Sequence, residues 1–147
     1  MFPVDTILSL IHHLGLALGL GCATAKLVLL FKCKGDPAFL PTYVAVSRPI
    51  TRLIILGLIL LVLSGGMWLV LGYPFSTVLV IKLVLVAIIW VLGPIIDNVI
   101  EPKFLSLAPA AGESPSPAFL RIQQQYLLME LAATGLFYVI VVMWMLA

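Results

Sequence analysis

The sequence predicts an all-α protein, an integral membrane four-helix bundle, and three observations carry that reading. The 147-residue chain is 63% hydrophobic and only 10% charged, with a mean hydropathy of +1.26, whereas soluble domains average about 45–50% apolar and about 25% charged. Four apolar runs, Val4 to Phe31, Leu53 to Leu71, Phe75 to Ile96 and Leu120 to Ala147, are long enough to cross a bilayer, and each is bounded by charge, proline or glycine. Period-two alternation is absent and the runs exceed the roughly ten residues of a membrane strand, which argues against a barrel. The same composition excludes an ordinary cytosolic domain. Two cysteines are too few for a secreted disulfide scaffold, and a net charge of +2 without a basic cluster leaves no footprint for nucleic acid. Lipid is the expected surrounding, and residues 1–147 are read as one transmembrane domain.

The first run follows only Met1, Phe2 and Pro3 and carries Asp5, where a cleaved signal peptide would have a basic n-region; it is read as a retained helix. Lys32, Lys34, Arg48 and Arg52 occupy the link to the second run, and Lys26 lies just inside the first. The link Gly72, Tyr73, Pro74 between the second and third runs is uncharged, and so short that an antiparallel hairpin is expected there. Lys103 and Arg121 flank the last link. Basic loops stay in the cytoplasm, so both termini are expected outside. The stretch from Glu101 to Ala118, EPKFLSLAPAAGESPSPA, reads as a mobile cytoplasmic loop.

An ionisable side chain within a span costs roughly 2.5–3.5 kcal/mol on insertion scales and needs a partner, a cavity or a role. Well inside the runs are His12, His13, Lys82 and Glu130, whereas Lys26, Asp97 and Arg121 lie near enough to the ends to snorkel. At 1.5 Å per residue, His12 and Lys82 share a level about 12 Å beneath the outer boundary, with Tyr138 at nearly the same depth and Met67 a little above.

On a helical projection His12 shares its face with Gly15, Gly19 and Ala23. Those small residues read in two ways: as a packing seam for a neighbouring helix, or as clearance for a flat macrocycle whose iron a histidine ligates. His12 and His13 are the only histidines, and neutral imidazole is a common haem ligand in helical bundles. They point about 100° apart and cannot both be axial ligands of one iron from one chain. The second ligand would be Met67, Lys82, water, or a histidine of a second protomer in a two-fold homodimer. Lys82 either snorkels, or neutralises a haem propionate, donates protons or ligates. Glu130 is expected to pair with a cytoplasmic-side cation such as Lys26 or Arg52, or to lie near Gln123 to Gln125. Cys22 and Cys33 are separated by about 16 Å of helix and are read as reduced thiols. Trp68 and Trp144 suit an outer aromatic belt. There is no GxSxG, P-loop or HExxH, and no pair of carboxylates is expected in one layer.

LIHHLGLALGLG, the link GDPAFLPTYVAVSRPITR, LSGGMWLVLG and the lysine of VIKLVLV together resemble small bacterial membrane proteins. These are the four-helix membrane protoporphyrinogen oxidase and the CopD-like integral membrane families, in which a histidine is followed by small residues and by a glycine nine positions on, here His12 and Gly21. The resemblance implies a bacterial inner (cytoplasmic) membrane protein with haem b (protohaem IX) held through His12 and supported by Lys82. The extra His13, the long Pro/Ser loop, and Gly15 and Gly19 depart from the oxidase pattern. The expectation is a b-type cytochrome-like haem-binding transmembrane protein, serving electron transfer or haem handling with a redox partner the sequence does not name; His12 or His13 ligates the iron and the protein is a homodimer. The alternatives are an oxidase of porphyrinogens, and a cofactor-free ion or copper transporter or membrane assembly subunit.

Overall fold

The computed structural model describes residues 3–110 and 113–146. Its architecture is all-helical: α1 (Val4–Gly35), a 3-10 turn (Pro37–Phe39), α2 (Leu40–Val70), α3 (Thr77–Ile95), a π-helical turn (Ile96–Ile100), α4 (Glu101–Ser106) and α5 (Pro117–Leu146), with no strand among the described residues. The helices form four candidate membrane spans, because α3, the π turn and α4 run on as one segment, Thr77–Ser106.

Local chemistry places the boundaries. Asp5 sits in the first turn of α1 and Lys32 and Lys34 in its last, which suits the helix dipole. Asp36 ends α1, and its carboxylate accepts a hydrogen bond from Ala38 N at 3.1 Å, capping a turn that begins at Pro37. At the far end of α2, Tyr73 N donates to Trp68 O and Gly72 N to Leu69 O, with Gly72 at φ +91°: a Schellman stop that favours glycine there. Ser76 and Ser116 accept from Leu79 N and Phe119 N to start α3 and α5.

Two differences from the sequence reading follow from this. The helices outrun the apolar windows: α2 begins at Leu40, so Arg48 and Arg52 are helical rather than in a link, and residues Glu101–Ser106 are α4 rather than loop. Charged residues within a continuing helix end a hydropathy window without ending the helix. Second, α2 and α3 are not a backbone-close hairpin. α1 packs along α2, whereas α5 packs against α1 and α3; Leu58 of α2 and Ile89 of α3 meet only through side chains in a small cluster with Phe137.

The α1–α2 contact is the tightest in the molecule. A Cβ built on Gly15 would lie 2.9 Å from Gly57 O and 3.0 Å from Leu60 Cβ, and one built on Gly57 would collide with the backbone of Gly19. The small residues beside His12 are therefore a packing seam, and α2 fills it. The larger core lies toward the end of the bundle that carries the α1–α2 and α4–α5 connections, where Leu30, Tyr43, Phe104, Phe119 and Tyr126 pack together. The chain termini belong to the opposite end.

Candidate functional site

Two polar layers cross the bundle, one in each half. In the half near the termini, His12 of α1 is half-buried and its Nδ1 lies 2.9 Å from Ser64 Oγ on α2. Ser64 gives its only proton to the carbonyls of Leu60 (2.7 Å) and Leu61 (3.2 Å). With that proton on a carbonyl, Ser64 accepts from His12 Nδ1–H, the arrangement that leaves a lone pair on Nε2. His13 is exposed, and its Nδ1 donates to the Ser9 carbonyl at 2.6 Å, so it holds the same tautomer. Trp68 lies beside His12 with ring centroids 5.2 Å apart, and Trp144 stands edge-on to His13 at 6.2 Å. Lys82 is half-buried, lies within electrostatic range of His12, and makes no hydrogen bond or ion pair among the described residues.

The expected layer is thus assembled in part. His12 and Lys82 share it, but Tyr138 does not: its hydroxyl bonds Thr24 Oγ1 at 3.0 Å, twelve residues beyond His12 along α1, about 18 Å of helix. Trp144 of α5 reaches the histidine level instead. Met67 is exposed.

The second layer lies near the connections and is built around Lys26, only 1% exposed. Its Nζ donates to Asp97 Oδ1 at 3.2 Å and to Glu101 Oε2 at 3.1 Å, and lies 2.8 Å from Glu130 Oε1 as an ion pair. Tyr126 OH donates to the same Glu101 oxygen at 3.0 Å, and Tyr43 OH stands 2.7 Å behind Tyr126 OH. The ammonium also lies 5.6 Å from the Tyr126 ring centre, within cation–π range.

Asp97 and Glu101 are four residues apart and share a helix face. The segment that carries them holds Pro94, which has no N–H for the helical ladder, and then a widened turn in which Glu101 N bonds Ile96 O, five residues back. Asn98 Nδ2 takes up the Pro94 carbonyl at 3.0 Å. Asp97 and Glu101, four residues apart across that turn, both reach Lys26.

The Glu130–Lys26 pair was within reach of sequence reasoning. The position of Lys26 and Asp97 was not: both were expected to snorkel, yet Lys26 is enclosed and Asp97 is bonded to it. Glu101, expected in a loop, is 5% exposed in the core. No pair of carboxylates was expected in one layer, yet Asp97, Glu101 and Glu130 share one around Lys26; the available signal was the i,i+4 spacing of Asp97 and Glu101. Arg121, by contrast, is exposed.

Among the described residues no three of His, Cys, Asp and Glu converge as a metal-ligand set. Cys33 is buried and Cys22 half-buried, both as free thiols. No family model, curated protein or solved structure gives a match to this chain.

Proposed function

We propose that this multi-pass membrane protein is a haem-binding, b-type cytochrome-like protein that transfers electrons or handles haem. One observation carries the reading: the 2.9 Å contact between His12 Nδ1 and Ser64 Oγ fixes the ring through one nitrogen, and with the proton on Nδ1 the other, Nε2, is an oriented neutral donor of the kind that ligates haem iron. The donor chemistry fits a haem; the glycine seam does not, because α2 fills it. The macrocycle would then lie outside the α1–α2 contact, on the side of the imidazole away from Ser64. His12 would be the axial ligand, the exposed His13 the alternative, and the uncommitted Lys82 ammonium the partner for a propionate. When bound, the haem supplies one-electron chemistry. Ser64 orients the ligand ring, and the Trp68 ring beside it restricts its rotation. In a homodimer a second copy would supply the other iron-holding residue from outside the α1–α2 contact. The same reading puts Lys32, Lys34, Arg48 and Arg52 toward the cytoplasm by the positive-inside rule, and with them a bacterial cytoplasmic membrane and both termini outside are proposed.

The test is the absorption spectrum of the detergent-purified protein, oxidised and dithionite-reduced, beside His12→Ala and His13→Ala. A Soret band with sharp reduced α and β bands that is lost in His12→Ala and kept in His13→Ala is the expected result. A colourless protein from haem-replete cells, with no extractable haem, overturns the reading.

A further inference from the structure

The Lys26 layer is independent of the histidines, and its charges do not balance. Three carboxylates, Asp97, Glu101 and Glu130, face one ammonium. Fully ionised, the layer would carry two uncompensated negative charges in the middle of an apolar core. The groups facing one another are Lys26 from α1, Tyr43 from α2, Asp97 from the π turn, Glu101 from α4, and Tyr126 and Glu130 from α5. Lys26 is the only cation among them. Of the seven other basic residues, Lys82 belongs to the histidine layer, and Lys32, Lys34, Arg48, Arg52, Lys103 and Arg121 are exposed and make no ion pair with the cluster among the described residues. Glu101 Oε1 is buried without any hydrogen-bond partner, and Glu130 Oε1 has only the ion pair; each residue is 5% exposed. Leaving such excess charge in a low-dielectric core costs several kcal/mol per ion, and a group under that pressure neutralises instead.

We propose that this cluster is a proton-binding site, in which Glu101 and Glu130 share up to two exchangeable protons and Asp97 is their point of exchange with solvent. Three structural facts converge on the assignment. The excess is two negative charges, which two protons cancel. The oxygens left without hydrogen-bond partners belong to the two carboxylates most enclosed. Asp97, at 25% side-chain exposure, is the member that reaches toward the surface, and it sits on the π turn, a kind of backbone irregularity that recurs at functional sites. In the loading step a proton leaves a solvent acid and forms an O–H bond on Asp97; Lys26 gives one N–H proton to a glutamate oxygen, forming its O–H, and the resulting amine takes the Asp97 proton to restore the ammonium, so each O–H or N–H bond broken is matched by one formed and no electron moves. Thr134, one turn along α5 from Glu130, has a buried hydroxyl oxygen that also lacks a partner and extends the polar path toward the middle of the bundle.

Infrared spectroscopy of the full-length protein in lipid vesicles tests this without haem. The three remaining acidic side chains, Asp5, Asp36 and Glu113, are exposed, so a protonated side-chain carboxyl C=O band at neutral pH that the cluster substitutions reduce belongs to the cluster. The expected result is such a band in the unsubstituted protein, shifting down in D2O, reduced by half or more in Glu130→Gln or Glu101→Gln, and unaffected by sodium or potassium. Asp97→Asn is expected to keep the band but slow its hydrogen–deuterium exchange at least tenfold. A protein with no such band at neutral pH overturns the proposal. So does a band that sodium or potassium abolishes, which would make a metal cation the occupant. Unchanged exchange in Asp97→Asn overturns the entry point. Should the glutamate variants fail to fold, the band and its isotope shift in the unsubstituted protein still decide.

Discussion

The two polar layers solve the problem of polarity inside an apolar bundle in opposite ways. Near the termini each histidine makes one short bond to its own or the neighbouring helix and keeps one nitrogen free at a half-buried or exposed position. Near the connections one lysine is surrounded by three carboxylates and sealed by Tyr43, Phe104 and Tyr126. The first layer has spare donors and access, which suits a ligand arriving from outside. The second has spare charge and almost no access, which suits nothing larger than a proton. One bundle can therefore carry two kinds of chemistry at different depths.

The largest expected effect comes from removing the central cation. Lys26→Met leaves three carboxylates enclosed without a counter-ion and is expected to destabilise by about 3–5 kcal/mol, as breaking one side of a buried ion pair does. Denaturant unfolding in detergent reads it, and a variant as stable as the parent would erase the contrast between the layers. Adding Glu130→Gln to Lys26→Met should recover part of the loss, since it removes a charge the lysine no longer offsets.

The seam comes next. Gly57→Ala drives a methyl into the Gly15 and Gly19 backbone and should cost about 1–3 kcal/mol, as overpacking does. Gly21→Ala, which meets nothing within 4 Å, is the neutral control in the same melting experiment. An equal response from both would mean that α1 and α2 are not in the contact described.

Smaller effects separate the tyrosines. Tyr126→Phe deprives Glu101 of a donor and should cost about 1.5–3 kcal/mol, as bonds to charged groups do. Tyr43→Phe removes a hydroxyl one step further from the carboxylate and should cost about 0.5–1.5 kcal/mol in the same assay. The reverse order would show that the proton chain runs the other way. The smallest expected change in stability is that of Ser64→Ala. It frees the His12 tautomer and should lower haem affinity about 10- to 100-fold, read by haem titration, while leaving unfolding within about 1 kcal/mol of the parent.

The helical class and the number of spans were legible because hydropathy is a bulk property that survives any error in register. The level shared by His12 and Lys82 was legible too, since rise per residue is nearly constant. The seam was half legible: Gly15 and Gly19 announce a close approach, but only the structure supplies Gly57 as what approaches. The Lys26 layer was hidden for a physical reason. A hydropathy window ends where charge begins, so a lysine and three carboxylates that meet one another inside the core look, one at a time, like residues in the headgroups. Asp97 and Glu101 are four residues apart and so share a helix face, but the prolines on either side of the π turn, Pro94 and Pro102, read as stops and hide that the helix runs on.

The glycine contact between α1 and α2 also has a mechanical side. Backbone in direct contact with backbone leaves no side chains to re-rotamer, so these two helices form one stiff beam. α3 is separated in backbone from α2 and is held to the beam by the bonds from Lys26 at one end and by Ile89 against Leu58 and Phe137 along its length. The polar attachment lies at one end alone, and toward the other the hold is apolar side-chain contact. Bending of α3 would therefore be resisted most where three carboxylates hold a single ammonium and least at the level of Lys82.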